Sequence, residues 1–198
     1  DRMGIYFCEK GCSQRGSNVI YDRAGSAIAE AEINDFDIPS ALDGVKWLHW
    51  TGITPAISDK TAEIMKAVLI EAKKRNITVS CDLNYRKKLW SRQKANEVMS
   101  DLVKYVDVLI SNEEDSKDVF GIEAENTDIN SGKISADGYA GIAKKLMAKF
   151  PSLKYVAFTL RESISASRNG WSAIHTDGKD VFNSKKYLYP CMESIVSQ

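Results

Sequence analysis

Metal-binding and redox residues are scarce in this chain of 198 residues. It has two histidines, His49 and His175, and four cysteines, Cys8, Cys12, Cys81 and Cys191, none of them in a C-x-x-C pair. A structural zinc needs Cys and His at close spacing, so no zinc site is expected. Cys81 lies in an apolar run, where a free thiol behaves as a small hydrophobe. Disulfides are therefore not expected, and a reducing, cytoplasmic compartment is. No apolar run approaches the ~18 residues of a membrane span, and there is no signal-peptide pattern. An excess of charge is missing as well. Lys+Arg and Asp+Glu both number 27, so the basic balance that marks nucleic-acid binders is absent. The chain also lacks a Walker A loop, a G-x-G-x-x-G run and a Ser/His/Asp arrangement. What remains is 43% hydrophobic and 27% charged, the balance of a soluble globular protein long enough for one good-sized domain.

The most informative stretch begins as a strand. Ile77, Val79 and Cys81 alternate with Thr78 and Ser80, in β-branched company. Asp82, Asn84 and Arg86 follow at every second position. If the chain stays extended there, a carboxylate, an amide and a guanidinium leave on one face. In open α/β sheets, ligands bind at the carboxyl ends of the strands. The same residues also suit an Asp–Arg pair with an Asn turn closing the strand.

The periodicity predicts the surrounding elements. Residues 3–8 and 19–23 read as two strands joined by a Gly/Ser/Asn-rich loop from Gly11 to Asn18. They suggest a flap over residues 1–31 resting on a core of residues 32–198, since a lone hairpin is marginal in water. Residues 45–50 read as a strand and 51–55, T-G-I-T-P, as a loop. Ser58 is placed to cap a helix over 59–75, with Ala62, Met65, Val68, Leu69 and Ala72 at helical spacing. Further helices are expected over 92–105, 112–120, stopped by Gly121, and 137–150. Strands are expected over 106–110, 155–159, 171–175 and 180–189, and a polar loop over 121–136. Strand and helix alternate from residue 45 to 160, which predicts a parallel α/β sheet with helices on both faces.

Three further stretches admit two readings each. Asn112-Glu113-Glu114-Asp115 follows a strand directly. An amide and carboxylates there can hold water around a hard cation, or simply match a helix dipole. The Thr159–Ser163 run, T-L-R-E-S, can touch phosphates or enter a hairpin. Tyr6, Tyr21 and Arg23 can cover a substrate or pack across the flap.

Taken in order, G-I-Y-F, V-I-Y-D-R, T-G-I-T-P, D-L-N-Y-R-K-K-L-W, N-E-E-D and T-L-R-E-S resemble the ribokinase-like (PfkB) carbohydrate kinases. Within these, the 2-keto-3-deoxygluconate kinases are the most similar, and D-x-N-x-R-x-x-L-W is the most specific match. The resemblance implies an enzyme that phosphorylates 2-keto-3-deoxygluconate to its 6-phosphate with ATP and Mg2+. Alternatives are a kinase for a neutral sugar of the fructose or ribose type, and a non-catalytic sugar-binding fragment. By the resemblance, Tyr6, Tyr21, Arg23 and Arg86 contact the sugar acid. Asn112, Thr159, Leu160, Arg161, Ser163 and Ser165 lie along ATP. Asn112 and Asp115 occupy the family's N-x-x-E motif, which organises magnesium through water, with Asp in place of Glu. The flap strands could join two copies of the chain. The family's G-A-G-D-like motif, which supplies the catalytic base, is not found. No residue is therefore assigned the base, and the chain alone is expected to be inactive.

Overall fold

The computed structural model describes residues 2–11, 18–124, 136–165 and 168–190. The expected loops at 11–18 and 121–136, together with Cys12 and Cys191, fall wholly or largely outside the described residues. Two strands, β1 (Ile5–Glu9) and β2 (Asn18–Asp22), form an antiparallel sheet of their own. The second sheet has seven strands: β3 (Trp47–Thr51), β4 (Thr78–Asp82), β5 (Val108–Ser111), β6 (Tyr155–Ser165), β7 (Arg168–Thr176), β8 (Val181–Asn183) and β9 (Tyr187–Pro190). Strands β3 to β6 are parallel neighbours in that order. Strand β7 returns antiparallel to β6 and pairs with both β8 and β9. The expected strand at 180–189 is thus two short strands, and β6 runs six residues beyond the expected end at 159.

Helix α1 (Asp59–Lys74) connects β3 to β4. Its start is fixed by a capping box between Ser58 and Thr61, which satisfies amides that the helix leaves unpaired. Its buried line is Thr61, Met65, Leu69 and Ala72. Thr61 replaces the expected Ala62, because its hydroxyl closes the cap and bonds the Ser58 carbonyl at 2.8 Å. Asn76 ends the helix at a φ of 56°, a left-handed conformation that Asn tolerates. Helix α2 (Arg92–Leu102) joins β4 to β5. Helix α3 (Glu113–Phe120) follows β5 and stops at Gly121, whose φ is 68°. Helix α4 (Ala136–Lys149) precedes β6 and buries Tyr139, Ile142, Ala143 and Leu146.

Val79, Ser80 and Cys81 are all buried, so β4 is covered on both faces rather than on alternate ones. This is the burial of a central parallel strand. The core runs without a break from Leu69 through Leu83, Met99 and Leu109 to Phe158, all fully buried. Each such side chain contributes about 1.5–3 kcal/mol by leaving water. At the opening edge of the sheet, Asp107 ties three strands together. Its Oδ2 accepts from the Val79 amide at 2.9 Å and from Lys73 Nζ at 2.7 Å, while its backbone carbonyl accepts from the Lys154 and Tyr155 amides. No helix of the described residues is long and apolar enough to cross a membrane.

Candidate active site

A cleft of about 1110 Å³ opens where β3, β4 and β5 end. Three segments form its walls. The first is the turn Ile53–Ala56, which is helical rather than the expected loop. The second is the polar run from Tyr85 to Arg92, and the third is the start of α3 with Asn112 and Asp115. Strand β2 covers the cleft with Tyr21, Arg23 and their neighbours. The flap and the strand ends therefore meet at one place, the position where open α/β sheets bind ligands.

The backbone at the end of β4 departs from the expected extension. Asn84 takes a φ of 41°, and its amide bonds Asp82 Oδ1 at 3.1 Å. This is an Asx turn, which Asn and Asp favour because the short side chain mimics a backbone carbonyl. Asp82, Asn84 and Arg86 consequently do not leave on one face. Asn84 instead points Nδ2 at Thr51 Oγ1, 3.0 Å away, tying β4 to β3. Asp82 is half-buried, and its burial raises its pKa against the opposing pull of the Asn84 amide, His49 and Arg86. No ion pair joins Arg86 to Asp82 or Asp115. The Arg86 side chain is exposed and donates to the Tyr85 carbonyl at 2.9 Å.

Asn112 is the N-cap of α3, and its Oδ1 accepts from the Asp115 amide at 2.7 Å. Asp115 is 8% exposed, and its Oδ2 accepts from the Tyr85 amide at 3.2 Å. Burial pushes its pKa up to about 6, with Asp82 and Glu114 adding to the rise and the Tyr85 amide and Arg86 opposing it. The capping reading of Asn112 is thus the one this geometry shows, at a strand end that lines the cleft.

The cleft gathers five of the expected site residues: Tyr21, Arg23, Arg86, Asn112 and Asp115. Tyr6 does not line it. It stands directly opposite Tyr21 across the flap, with ring centroids 6.1 Å apart, and is 66% exposed. The Arg23 guanidinium lies 4.4 Å over the Tyr21 ring, which fixes the cation beside the cleft. Thr159, Leu160, Arg161, Ser163 and Ser165 lie on β6 in the long hairpin with β7, and Thr159, Leu160 and Arg161 fall outside the lining of this cleft. Leu160 packs against the core, and Arg161 sits 5.5 Å from the Trp171 ring.

Residue-level reading of the chain passed over Lys87 and Lys88, which line the cleft beside Arg86, and the Tyr85 amide. The uninterrupted R-K-K run was a legible signal for the two lysines. The bond from Tyr85 to Asp115 spans 30 residues, and no local pattern announces it. Magnesium prefers a few carboxylates plus water and phosphate oxygens. Asp115 has one carboxylate oxygen without a hydrogen-bond partner among the described residues, which leaves it open to a water of a hydrated ion, although no group of three or more His, Cys, Asp or Glu that could hold a metal gathers among the described residues. Asn112 fits less directly, because its oxygen is held by the cap.

The chain shares its fold with a PfkB family carbohydrate kinase of Listeria grayi, with a TM-score of 0.81 at 31% identity, covering 96% of this chain and 56% of that one. No family model matches the chain. The crystal structure of 2-dehydro-3-deoxygluconokinase from Thermotoga maritima superimposes with a TM-score of 0.86 at 44% identity, covering 96% of this chain and 55% of that one. The 2-dehydro-3-deoxygalactonokinase of Haloferax volcanii is 36% identical over 124 residues, 63% of this chain and 39% of that protein. An E. coli chain described as a ribokinase II, solved with ATP and Mg2+, shares the fold at 13% identity and a TM-score of 0.60. The chain thus spans about half the length of the Thermotoga enzyme and less of the Haloferax one.

Proposed function

We propose that the protein containing this chain is a sugar-acid kinase that transfers the γ-phosphoryl group of ATP to the terminal hydroxyl of 2-keto-3-deoxygluconate. The observation that carries this reading is a pair of guanidiniums, Arg23 and Arg86, lining one cleft with no carboxylate in ion-pair contact with either among the described residues. A cleft lined by two such guanidiniums, with Lys87 and Lys88 beside them, favours an anionic ligand. A sugar acid brings a carboxylate, which the planar fork of Arg matches with two parallel hydrogen bonds. The homologous sugar-acid kinases support the same substrate class.

Tyr21 would lie over the substrate from the flap, with Tyr6 supporting it from the neighbouring strand. Lys87 and Lys88 add positive charge at the rim. The nucleotide would extend from Asn112 towards the β6 residues Thr159 to Ser165. Mg2+, carried on the phosphates and held through water by Asp115 and Asn112, would supply charge neutralisation. Phosphoryl transfer depends mainly on such positioning and electrostatic stabilisation. No residue of the cleft is assigned the base that takes the hydroxyl proton.

The test is a coupled ADP-release assay on the full-length protein with 2-keto-3-deoxygluconate, 2-keto-3-deoxygalactonate and fructose. A kcat/KM for one of the acids at least about tenfold above that for fructose is expected, the value of one charge-assisted contact. Equal or greater use of fructose overturns the reading.

A further inference from the structure

The guanidinium on which acid recognition would depend lies beyond the end of β4. The last sheet hydrogen bond on this side is from the Leu83 amide to the Ile110 carbonyl at 3.0 Å. After Leu83, the Asx turn at Asn84 reverses the backbone, and its amide and side chain are satisfied by Asp82 and Thr51. Tyr85 is the next residue, and its amide has Asp115 Oδ2 as its partner at 3.2 Å. Arg86 follows immediately. Its side chain donates to its own neighbour, the Tyr85 carbonyl, and its carbonyl accepts from the Leu89 amide at 2.8 Å within the same loop. The direction of the guanidinium is therefore set by the peptide units on either side of Tyr85, and that peptide is held from outside by one carboxylate.

The carboxylate is itself immobilised. Asp115 is nearly buried, its amide is held by the Asn112 cap, and α3 continues into the buried Ser116, Val119 and Phe120. Ser116 Oγ is joined to Ser111 Oγ at 2.8 Å, which fastens the first turn of α3 to the end of β5. The Tyr85 ring adds a second tie, because its hydroxyl donates to the Trp90 carbonyl at 3.3 Å and closes the loop on itself. A rigid helix start thus grips a loop that carries its cation at the tip.

We infer that Asp115 is a positioning residue for Arg86: its Oδ2 anchors the Tyr85 amide and so fixes where the guanidinium meets the substrate carboxylate. The inference rests on the sugar-acid reading for its consequence, while its structural content stands on the hydrogen bond alone. It gives Asp115 work on the acceptor side of the site in addition to any water-mediated contact with a cation. A short carboxylate suits this work, since a side chain one methylene longer carries its oxygens about 1.5 Å further from the helix, into the Tyr85 peptide.

Asp115→Asn and Asp115→Ala separate the roles. Asn keeps an oxygen that can accept from the Tyr85 amide, and Ala does not. In the full-length protein, Asp115→Ala is expected to raise KM for the sugar acid roughly tenfold, the worth of a misplaced charge-assisted contact, in addition to any change in its use of MgATP. Asp115→Asn is expected to restore KM for the sugar acid, whatever becomes of kcat. Hydrogen exchange supplies a readout independent of turnover: the Tyr85 amide should be protected in the parent and in Asp115→Asn, and exchange faster in Asp115→Ala. If both variants raise the magnesium requirement and leave KM for the sugar acid unmoved, Asp115 serves the cation alone and the inference fails. Equal Tyr85 exchange in all three proteins also overturns it. If the parent binds no sugar acid in calorimetry, the functional reading falls. The exchange rates, with a structure of Asp115→Ala showing Arg86 displaced or in place, then still decide the positioning role.

Discussion

Gly52 and Leu83 stand so close that a Cβ on Gly52 would lie 2.1 Å from the Leu83 carbonyl oxygen. The Gly52 amide donates to the Asp82 carbonyl at 2.8 Å, so the first residue after β3 is pressed against the end of β4. The partner that glycine admits here is another backbone, in the floor beneath the cleft. Gly52→Ala must push the two chains apart. It should lower stability by about 1–3 kcal/mol, as overpacking does, and distort the turn that carries Ile53 and Ala56. Denaturant unfolding of parent and variant checks this. An unchanged midpoint would mean that the strand ends yield freely.

Arg86→Lys should weaken the sugar acid selectively. Losing the planar fork costs on the order of 1.5–3 kcal/mol for a charge-assisted contact. KM for 2-keto-3-deoxygluconate should rise accordingly in the full-length enzyme, with KM for ATP spared. A parallel loss for fructose would make Arg86 structural.

Asn112 combines a cap with an expected nucleotide contact, and two substitutions divide them. Ser can still cap α3, whereas Ala cannot. Asn112→Ala should lose about 1 kcal/mol of stability, and Asn112→Ser little. Both should raise KM for MgATP, and Asn112→Ser, which keeps the cap that holds Asp115, should leave sugar binding nearly intact. Nucleotide kinetics equal to the parent in both variants would remove Asn112 from the ATP site.

Asp107 predicts the response to acid. Its burial raises its pKa, but the hydrogen bonds from Lys73, the Val79 amide and Lys154 outweigh this and leave it below the ordinary value. A carboxyl group with a depressed folded-state pKa contributes stability above its unfolded pKa of about 3.9 and loses it as pH falls through the folded value. The parent should therefore weaken as pH drops below about 4. Asp107→Asn should be less stable near neutrality and flatter across that acidic window. Parallel pH profiles for the two proteins would show that Asp107 is not the acid-sensitive tie.

Much of the fold was legible because its signals are local. Ser58 before α1, Asn112 before α3 and Gly121 after it each mark a boundary within one turn of the residues they serve. Five of the expected residues meet in one cleft, but not in the expected geometry. The alternation of Asp82, Asn84 and Arg86 suggested one extended face. The φ of Asn84 breaks it, because an Asx turn competed with the strand and won. The contact of Gly52 with Leu83 and the grip of Asp115 on Tyr85 cross 31 and 30 residues. Such pairings depend on which strands become neighbours, which periodicity does not encode.

The Asp107 tie has a consequence for how the molecule tolerates change. Asp107 precedes β5 and Asn112 follows it, so the acid-sensitive tie and the cleft lie at opposite ends of a four-residue strand. At ~3.3 Å per residue the separation is about 16 Å, beyond the ~7–10 Å within which perturbations usually couple. Stability and substrate recognition should therefore vary as nearly independent quantities: the free-energy effects of Asp107→Asn and Arg86→Lys should add in the double variant to within about 0.5 kcal/mol. Such a sheet can be tuned for endurance at one rim while its chemistry is rewritten at the other.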